Sequence, residues 1–206
     1  MRPRRFREAF IGSLEKNILT EASQSLEQLQ LDEGGEVRLR SVEPGDEDFL
    51  LRVYASSRAA EMALVPWDEE QKRAFVRSQF EAQYAQYSER FPDAEYDLIL
   101  FRGSPAGRLW IGRTPEEIRL LDIALLPEFQ NRGIGAVLLK SLLAESEQRR
   151  LPLRHMVFKL NDAALRFYRR FGFTQIEDVG AYIHMERRPA SATDEPPRPV
   201  AATSPG

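Results

Sequence analysis

The run from Ile118 to Leu143 (IRLLDIALLPEFQNRGIGAVLLKSLL) constrains this chain more than any other stretch. Ile118, Leu120, Leu121, Ile123, Ala124, Leu125 and Leu126 are apolar, interrupted only by Arg119 and Asp122. A strand that reads almost continuously apolar is one covered on both faces. Pro127 ends it, because proline has no N–H for the next ladder bond. The segment Gln130-Asn131-Arg132-Gly133-Ile134-Gly135 then leads into a helix carrying Val137, Leu138, Leu139, Leu142 and Leu143. Glycines at a strand-to-helix turn let backbone N–H groups crowd around a phosphate with no Cβ in the way. The helix N-terminus adds unpaired donors and the positive end of the macrodipole. The same residues also suit a plain tight turn, and the loop alone does not choose between the two.

Known phosphate motifs narrow the choice. A dinucleotide fingerprint needs a third glycine where this chain has Leu138, and a P-loop needs Gly-Lys-Ser/Thr, which is absent. Gln130, Gly133 and Gly135 do fill the fixed places of Q/R-x-x-G-x-G/A, the acetyl-CoA pyrophosphate loop of the GNAT acyltransferase superfamily. Downstream, an apolar strand over 153–160 ends at Asn161, and the chain continues NDAALRFYRRFGF. There Asn161, Ala164, Phe167, Tyr168, Gly172 and Phe173 resemble that family's N-x-x-A-x-x-(apolar)-Tyr-x-x-x-Gly-Phe signature. The physical chemistry of the segment agrees. Asn161 or Asp162 is a good N-cap; Ala164, Leu165, Tyr168 and Phe171 make an apolar stripe; Gly172 is a helix stop. The resemblance spans about residues 36–188.

The resemblance implies an α/β fold: a twisted, mostly antiparallel sheet with helices on both faces and a splayed pair of parallel strands, 117–126 and 153–160. A crossover helix between two strands makes them parallel on general grounds. By resemblance, acetyl-CoA is the co-substrate and its pantetheine arm enters the gap. Ile123, Ala124 and Leu125 then offer main-chain groups, as in β-augmentation. Amides of Gln130, Asn131, Arg132, Gly133, Ile134, Gly135 and Ala136 cradle the pyrophosphate, and the Asn161 side chain bonds the lower pantetheine. The implied reaction is acetyl transfer to a primary amine, which needs an acid near sulfur and a base near nitrogen. Tyr168 holds the family's tyrosine position and is the candidate acid. Asp122, a carboxylate in an apolar strand, is the candidate base, with Glu117 its competitor. It also reads as a structural partner for an arginine such as Arg119. The acceptor would meet the loop around Arg58–Trp67, where Trp67 and Glu61 are candidate contacts for a small-molecule or peptide amine.

Composition frames this as one domain. With 206 residues, 42% hydrophobic and 30% charged, the chain can bury one core. The absence of cysteine excludes disulfides, thiolate catalysis and zinc–sulfur sites. Two histidines, His155 and His184, each alone in a strand-like run, make no metal site. A net charge of −3 offers no general attraction to nucleic acid or an anionic membrane. No apolar run approaches the roughly 18 residues of a membrane span. The Arg-rich N-terminus lacks the apolar stretch of a signal peptide, so a cytoplasmic location is expected.

Three regions follow. Residues 1–35 read as an amphipathic helical extension, with Phe6, Phe10, Leu14 and Ile18 recurring every four residues and a helix over 6–30. The domain proper is 36–188, and residues 189–206, rich in Pro, Ala and Ser, read as disordered. Within the domain come helices over 46–60 and 68–91, then strands over 95–101 and 107–113 joined by the turn Arg102-Gly103-Ser104-Pro105. A C-terminal hairpin closes it. The extension docks on the domain or makes a homodimer or partner contact. A second function class stays open with it: a CoA-binding but catalytically silent module acting through that helix.

Overall fold

The structure, a computed structural model, describes residues 28–30 and 35–190. Eight strands form one sheet in the order β1-β2-β3-β4-β5-β6-β8-β7. They are β1 (Gln28–Gln30), β2 (Glu36–Ser41), β3 (Glu95–Phe101), β4 (Ser104–Arg113), β5 (Ile118–Leu125), β6 (Leu153–Phe158), β7 (Thr174–Val179) and β8 (Tyr182–Arg187). The helices are α1 (Glu47–Ala63), α2 (Glu69–Arg90), α3 (Ile134–Arg149) and α4 (Asp162–Arg170). Every neighbouring pair is antiparallel except β5 and β6. Those two are joined through α3, the crossover that parallel neighbours require.

Strand alternation sorts the core into two layers. Ile99, Leu109, Ile111, Ile118 and Leu120 point one way, against Leu138, Leu139 and Leu142 of α3 and Leu165 and Tyr168 of α4. Leu98, Trp110 and Leu121 point the other way, against Leu50 and Tyr54 of α1 and Val76, Phe80 and Tyr84 of α2. The aromatic stripe of α2 is therefore core. Helix starts follow their caps. The Asp68 side chain accepts from the Gln71 N–H at 2.8 Å while Gln71 Oε1 accepts from the Asp68 N–H at 3.1 Å, a capping box that starts α2.

Two boundaries differ from the sequence reading. Gln28–Gln30, expected as the last turn of an N-terminal helix, is a strand paired with Glu36–Arg38; an edge partner for β2 outweighs local helical periodicity there. The rest of that extension, and residues 191–206 of the tail, lie outside the described residues. The β3–β4 turn is Arg102-Gly103 alone, at φ 50° and 79°. Two positive-φ residues match the twist of the flanking strands, so Ser104 and Pro105 join β4.

One buried acid sets a pH dependence. Asp97 on β3 is 6% exposed. Burial pushes its carboxyl up to about 6, Glu95 adds to the rise, and the Ser41 hydroxyl and Arg113 oppose it. A raised carboxyl favours the folded state while neutral: its contribution is whole below the unfolded value of 3.8 and is lost as pH rises through about 6. Asp97→Asn cannot ionise, so its melting temperature is expected to exceed wild type at pH 8, with the difference shrinking toward pH 4. Thermal unfolding of both proteins across that range checks this, and a variant less stable at pH 8 counts against it.

Candidate functional site

The parallel ladder between β5 and β6 is short. It pairs Ile118 with Leu153, Arg119 with Arg154, and Leu120 with His155, and then stops. Beyond it β5 stays with β4 through Ala124↔Arg108 and Leu125↔Gly107, while β6 stays with β8 through Val157↔Ile183 and Phe158↔Tyr182. The strands therefore fork, and Ile123, Ala124 and Leu125 line the open edge half-buried. A bulge sits at the vertex: Ile111 pairs with Leu120 and Trp110 with Asp122, leaving Leu121 unmatched. The extra residue breaks the alternation, so Leu121 and Asp122 both turn toward the α1/α2 layer.

The glycine turn opens at the end of β5. The Gln130 side-chain amide donates to the Leu125 carbonyl at 2.9 Å and ties the loop to the strand. Asn131 at φ 59° and Gly133 at φ 79° turn the backbone into α3. Gly133 is the N-cap of that helix, so no side chain satisfies the first N–H groups, and no acid stands in its first turn. Two of the other helices differ: α2 is capped by Asp68 and α4 by Asn161, whose Oδ1 accepts from the Ala164 N–H at 3.0 Å, while α1 lacks a side-chain cap but carries Glu47 and Asp48 in its first turn. The N-terminus of α3 thus keeps unpaired donors and an uncompensated positive dipole end. Its two glycines have separate reasons. Gly133 adopts a left-handed φ that a side chain resists. Gly135 does not, and a Cβ there meets only Phe167 Cζ at 3.7 Å, an ordinary contact. Nothing in the fold itself requires a glycine at 135.

Tyr168 of α4 lies on the α3/α4 side of the fork, 3% exposed. Its ring packs against His155 at 4.7 Å and edge-on to Phe173 at 5.4 Å. Burial, and then the nearby Asp122 charge, hold its hydroxyl above the ordinary tyrosine range, so it keeps its proton at neutral pH. On the other face Asp122 Oδ2 lies 2.7 Å from Arg108 Nε. Arg108 is only 1% exposed. It donates to Gln83 Oε1 at 3.0 Å and sits over the rings of Tyr54 and Phe80, 5.2 and 5.7 Å from their centroids. Burial works against its charge, but Asp122 and Tyr96 outweigh that and raise its pKa. Tyr87 of α2 belongs to the same face: burial, then Asp122 and Tyr182, push its hydroxyl up to about 12.

The arginine that meets Asp122 is thus Arg108, not Arg119. Arg119 forks onto Glu117 at 2.8 and 3.1 Å and donates to His184 Nε2 at 2.7 Å. Glu117 also accepts from Arg154 at 2.7 Å, so this competitor for the base is bound by two guanidinium groups at the opposite end of β5. Trp67 lies in the α1–α2 turn, 40% exposed and edge-on to Phe75 at 5.2 Å. Glu61 is paired with Arg58 at 2.9 Å. The sequence reading singled out neither Arg108 nor Tyr87, and it gave His155 no role. A lone charge inside the apolar strand 104–113, two residues from the Trp110 that pairs with Asp122, was the available signal for Arg108.

Two cavities lie away from the fork. One of about 620 Å³ is lined by Glu147, Arg150, Arg154, Glu186 and Arg188, and another of about 840 Å³ lies between α1 and α2, over Leu51, Ala55 and Met62. Among the described residues no helix is long and apolar enough to cross a membrane, and no cluster of His, Asp and Glu could hold a metal ion.

Comparison with known proteins agrees with the geometry. The profile described as "Acetyltransferase (GNAT) family" matches residues 57–173. The Uncharacterized N-acetyltransferase CgeE of Bacillus subtilis is 27% identical over 78 residues, 38% of this chain and only 30% of that protein's length. Among solved structures, the PaiA N-acetyltransferase of Thermoplasma acidophilum in complex with coenzyme A is 18% identical with a TM-score of 0.56, covering 74% of this chain and 98% of that one. The ribosomal-protein-S18-alanine N-acetyltransferase of Escherichia coli is 23% identical with a TM-score of 0.51, covering 76% and 96%. At these identities the structural likeness is one of fold.

The buried Arg108 also makes a stability prediction. Removing one partner of a buried ion pair leaves the other uncompensated, at a cost of about 3 kcal/mol. Arg108→Met is expected to lose that much in urea unfolding, and Arg108→Met with Asp122→Leu to recover most of it. Equal losses in the single and double variants would show that the guanidinium acts through its ring contacts instead.

Proposed function

We propose, for a chain that belongs to the acetyltransferase (GNAT) family, that the β5–β6 fork takes acetyl-CoA and passes its acetyl group to a primary amine arriving over the α1/α2 face. The observation that carries this is the fork itself: a parallel ladder that ends after Leu120↔His155 beside an uncapped helix N-terminus. The site fits the ligand. The edge of Ile123, Ala124 and Leu125 offers main-chain groups to the amides of the pantetheine arm. The N–H groups of Gln130, Asn131, Arg132, Gly133, Ile134, Gly135 and Ala136 receive the pyrophosphate, as unpaired donors at a helix start do. Gly135 leaves open a space that the fold itself does not need. With Asn161 Oδ1 engaged in its cap, its side-chain N–H₂ is the group left for the pantetheine.

Acetyl-CoA supplies an activated acetyl group. The amine nitrogen bonds to the acetyl carbon and the carbon–sulfur bond breaks. Two protons must move, one off the nitrogen and one onto the sulfur. Tyr168, whose hydroxyl burial holds above the ordinary tyrosine range, donates the second. Asp122 receives the first, directly or through a water molecule, while Arg108 holds one of its oxygens. Trp67 and Glu61 flank the approach to this face, and the acceptor is a small-molecule or peptide amine. The silent-module alternative depends on the N-terminal extension, most of which lies outside the described residues; a measured rate of acetyl transfer counts against it.

Tyr168→Phe is expected to lower kcat about 10-fold or more in a thiol-release assay with an amine panel, with little change in acetyl-CoA affinity. Unchanged kcat removes Tyr168 from the mechanism, and a wild type that binds CoA but acetylates no amine favours the module. Gly135→Val is expected to leave the melting temperature near wild type yet weaken acetyl-CoA binding at least about 10-fold, or about 1.4 kcal/mol, by calorimetric titration. Wild-type affinity in the folded variant means the turn does not hold the pyrophosphate.

A further inference from the structure

We infer that His155 is a positioning residue of this site: its imidazole, bonded to the Leu120 main chain at the last paired register of β5 and β6, sets where the fork opens and where the Tyr168 ring stands. The inference rests on the assignment of Tyr168 and the fork made above, and adds to it a residue that neither motif contains.

The placement is unusual for a histidine. Leu153, His155 and Val157 are the inward positions of β6, packed toward α3 and α4, and His155 is 8% exposed among them. An imidazole at an inward position must find a partner, because an unbonded polar group costs free energy there. The partner is a main-chain atom of the neighbouring strand: Nδ1 lies 2.7 Å from the Leu120 carbonyl oxygen. A carbonyl only accepts, so Nδ1 carries the hydrogen. Burial holds the ring below its ordinary pKa, with Arg119 and His184 adding to the fall, and the Leu120 bond and Asp122 opposing it. The ring is therefore neutral near pH 7, with its Nε2 lone pair free of a proton.

Position gives this bond its consequence. Leu120 is the last β5 residue in register with β6, and the next residue, Leu121, is the bulge that turns Asp122 toward Arg108. One side chain from β6 thus pins the β5 main chain immediately before the bulge. The opposite side of the same ring is packed on Tyr168, with centroids 4.7 Å apart and planes at 48°. A histidine here joins the three elements that must keep their spacing for acetyl transfer: β5, β6 and α4. Leucine or valine fills such a position but bonds no carbonyl.

Two amide probes separate the bond from the mere presence of a polar side chain. Asparagine places an amide N–H close to the Nδ1 position, whereas glutamine places it nearer Nε2, so only His155→Asn keeps the donor to Leu120. Kinetics are read as thiol release from acetyl-CoA with the best acceptor of a primary-amine panel, and affinity by calorimetric titration of acetyl-CoA. His155→Gln is expected to lower kcat about tenfold with an acetyl-CoA Kd within about threefold of wild type, and His155→Asn to stay within about threefold of wild-type kcat. In a Tyr168→Phe background, His155→Gln is expected to cost no more than about twofold further, since residues acting as a unit are not additive. Equal losses in the two amide variants, or a full independent loss in the Tyr168→Phe background, overturn the inference. Wild-type kcat in His155→Gln also overturns it while leaving Tyr168 untouched. Wild-type kcat in Tyr168→Phe instead overturns the assignment beneath it. If His155→Gln does not fold, His155→Leu takes its place in each comparison.

Discussion

The short ladder between β5 and β6 is the constraint on which the rest depends. Among the described residues, these three register pairs are the only strand ladder between the β1–β5 half and the β6–β8–β7 half. A longer ladder would close the sheet and leave no edge for a ligand. A shorter one would leave α3 and α4 to hold the halves together alone. The first hydrophobic layer, from Ile118 and Leu120 to Leu138, Leu142 and Tyr168, spans this joint. Packing thus carries what the missing hydrogen bonds do not, and beyond Leu120 the β5 main chain has no β6 partner.

Charge around the fork is arranged so that each acid near the chemistry has a defined counter-ion. Asp122 is held by Arg108, which lies under α1 and α2 between aromatic faces and Gln83. Replacing a buried pair by apolar residues is often neutral in stability, so its presence is better explained by the orientation it gives the carboxylate than by the energy it contributes. Glu117 has the opposite fate. Its two oxygens serve Arg119 and Arg154 at the joined end of β5, where the ladder with β6 is closed. Two carboxylates on or beside one strand therefore meet different partners according to which end of the fork they occupy.

The turn into α3 shows how a binding site differs from an ordinary helix start. Capping by Asp68 and Asn161 satisfies the first turns of α2 and α4. Gly133 leaves the first turn of α3 without such a partner. Unpaired N–H groups cost free energy unless water or a ligand supplies acceptors, and an anion does so with a favourable dipole term. The left-handed Gly133 shapes the turn, and Gly135 keeps its surface bare.

Much of this was legible in the chain. Apolar runs, Pro127, the Gln130–Gly135 turn and the Asn161–Phe173 segment specify strand, turn, helix, strand and helix in order, because those preferences are local: periodicity, capping and glycine φ. They also specified a mixed α/β domain, with the glycine turn and Tyr168 on consecutive elements of it. What only the tertiary structure decided were the pairings between segments distant in sequence. Arg108 rather than Arg119 reaches Asp122 because a bulge at Leu121 resets which face the acid shares with β4. His155 meets Leu120 and Tyr168 only because three elements converge at the vertex of the fork. Gln28–Gln30 became a strand because an open sheet edge offered its backbone partners. Local preference is written in each short segment, whereas register, bulge position and the partner of a buried charge exist only once the strands have met.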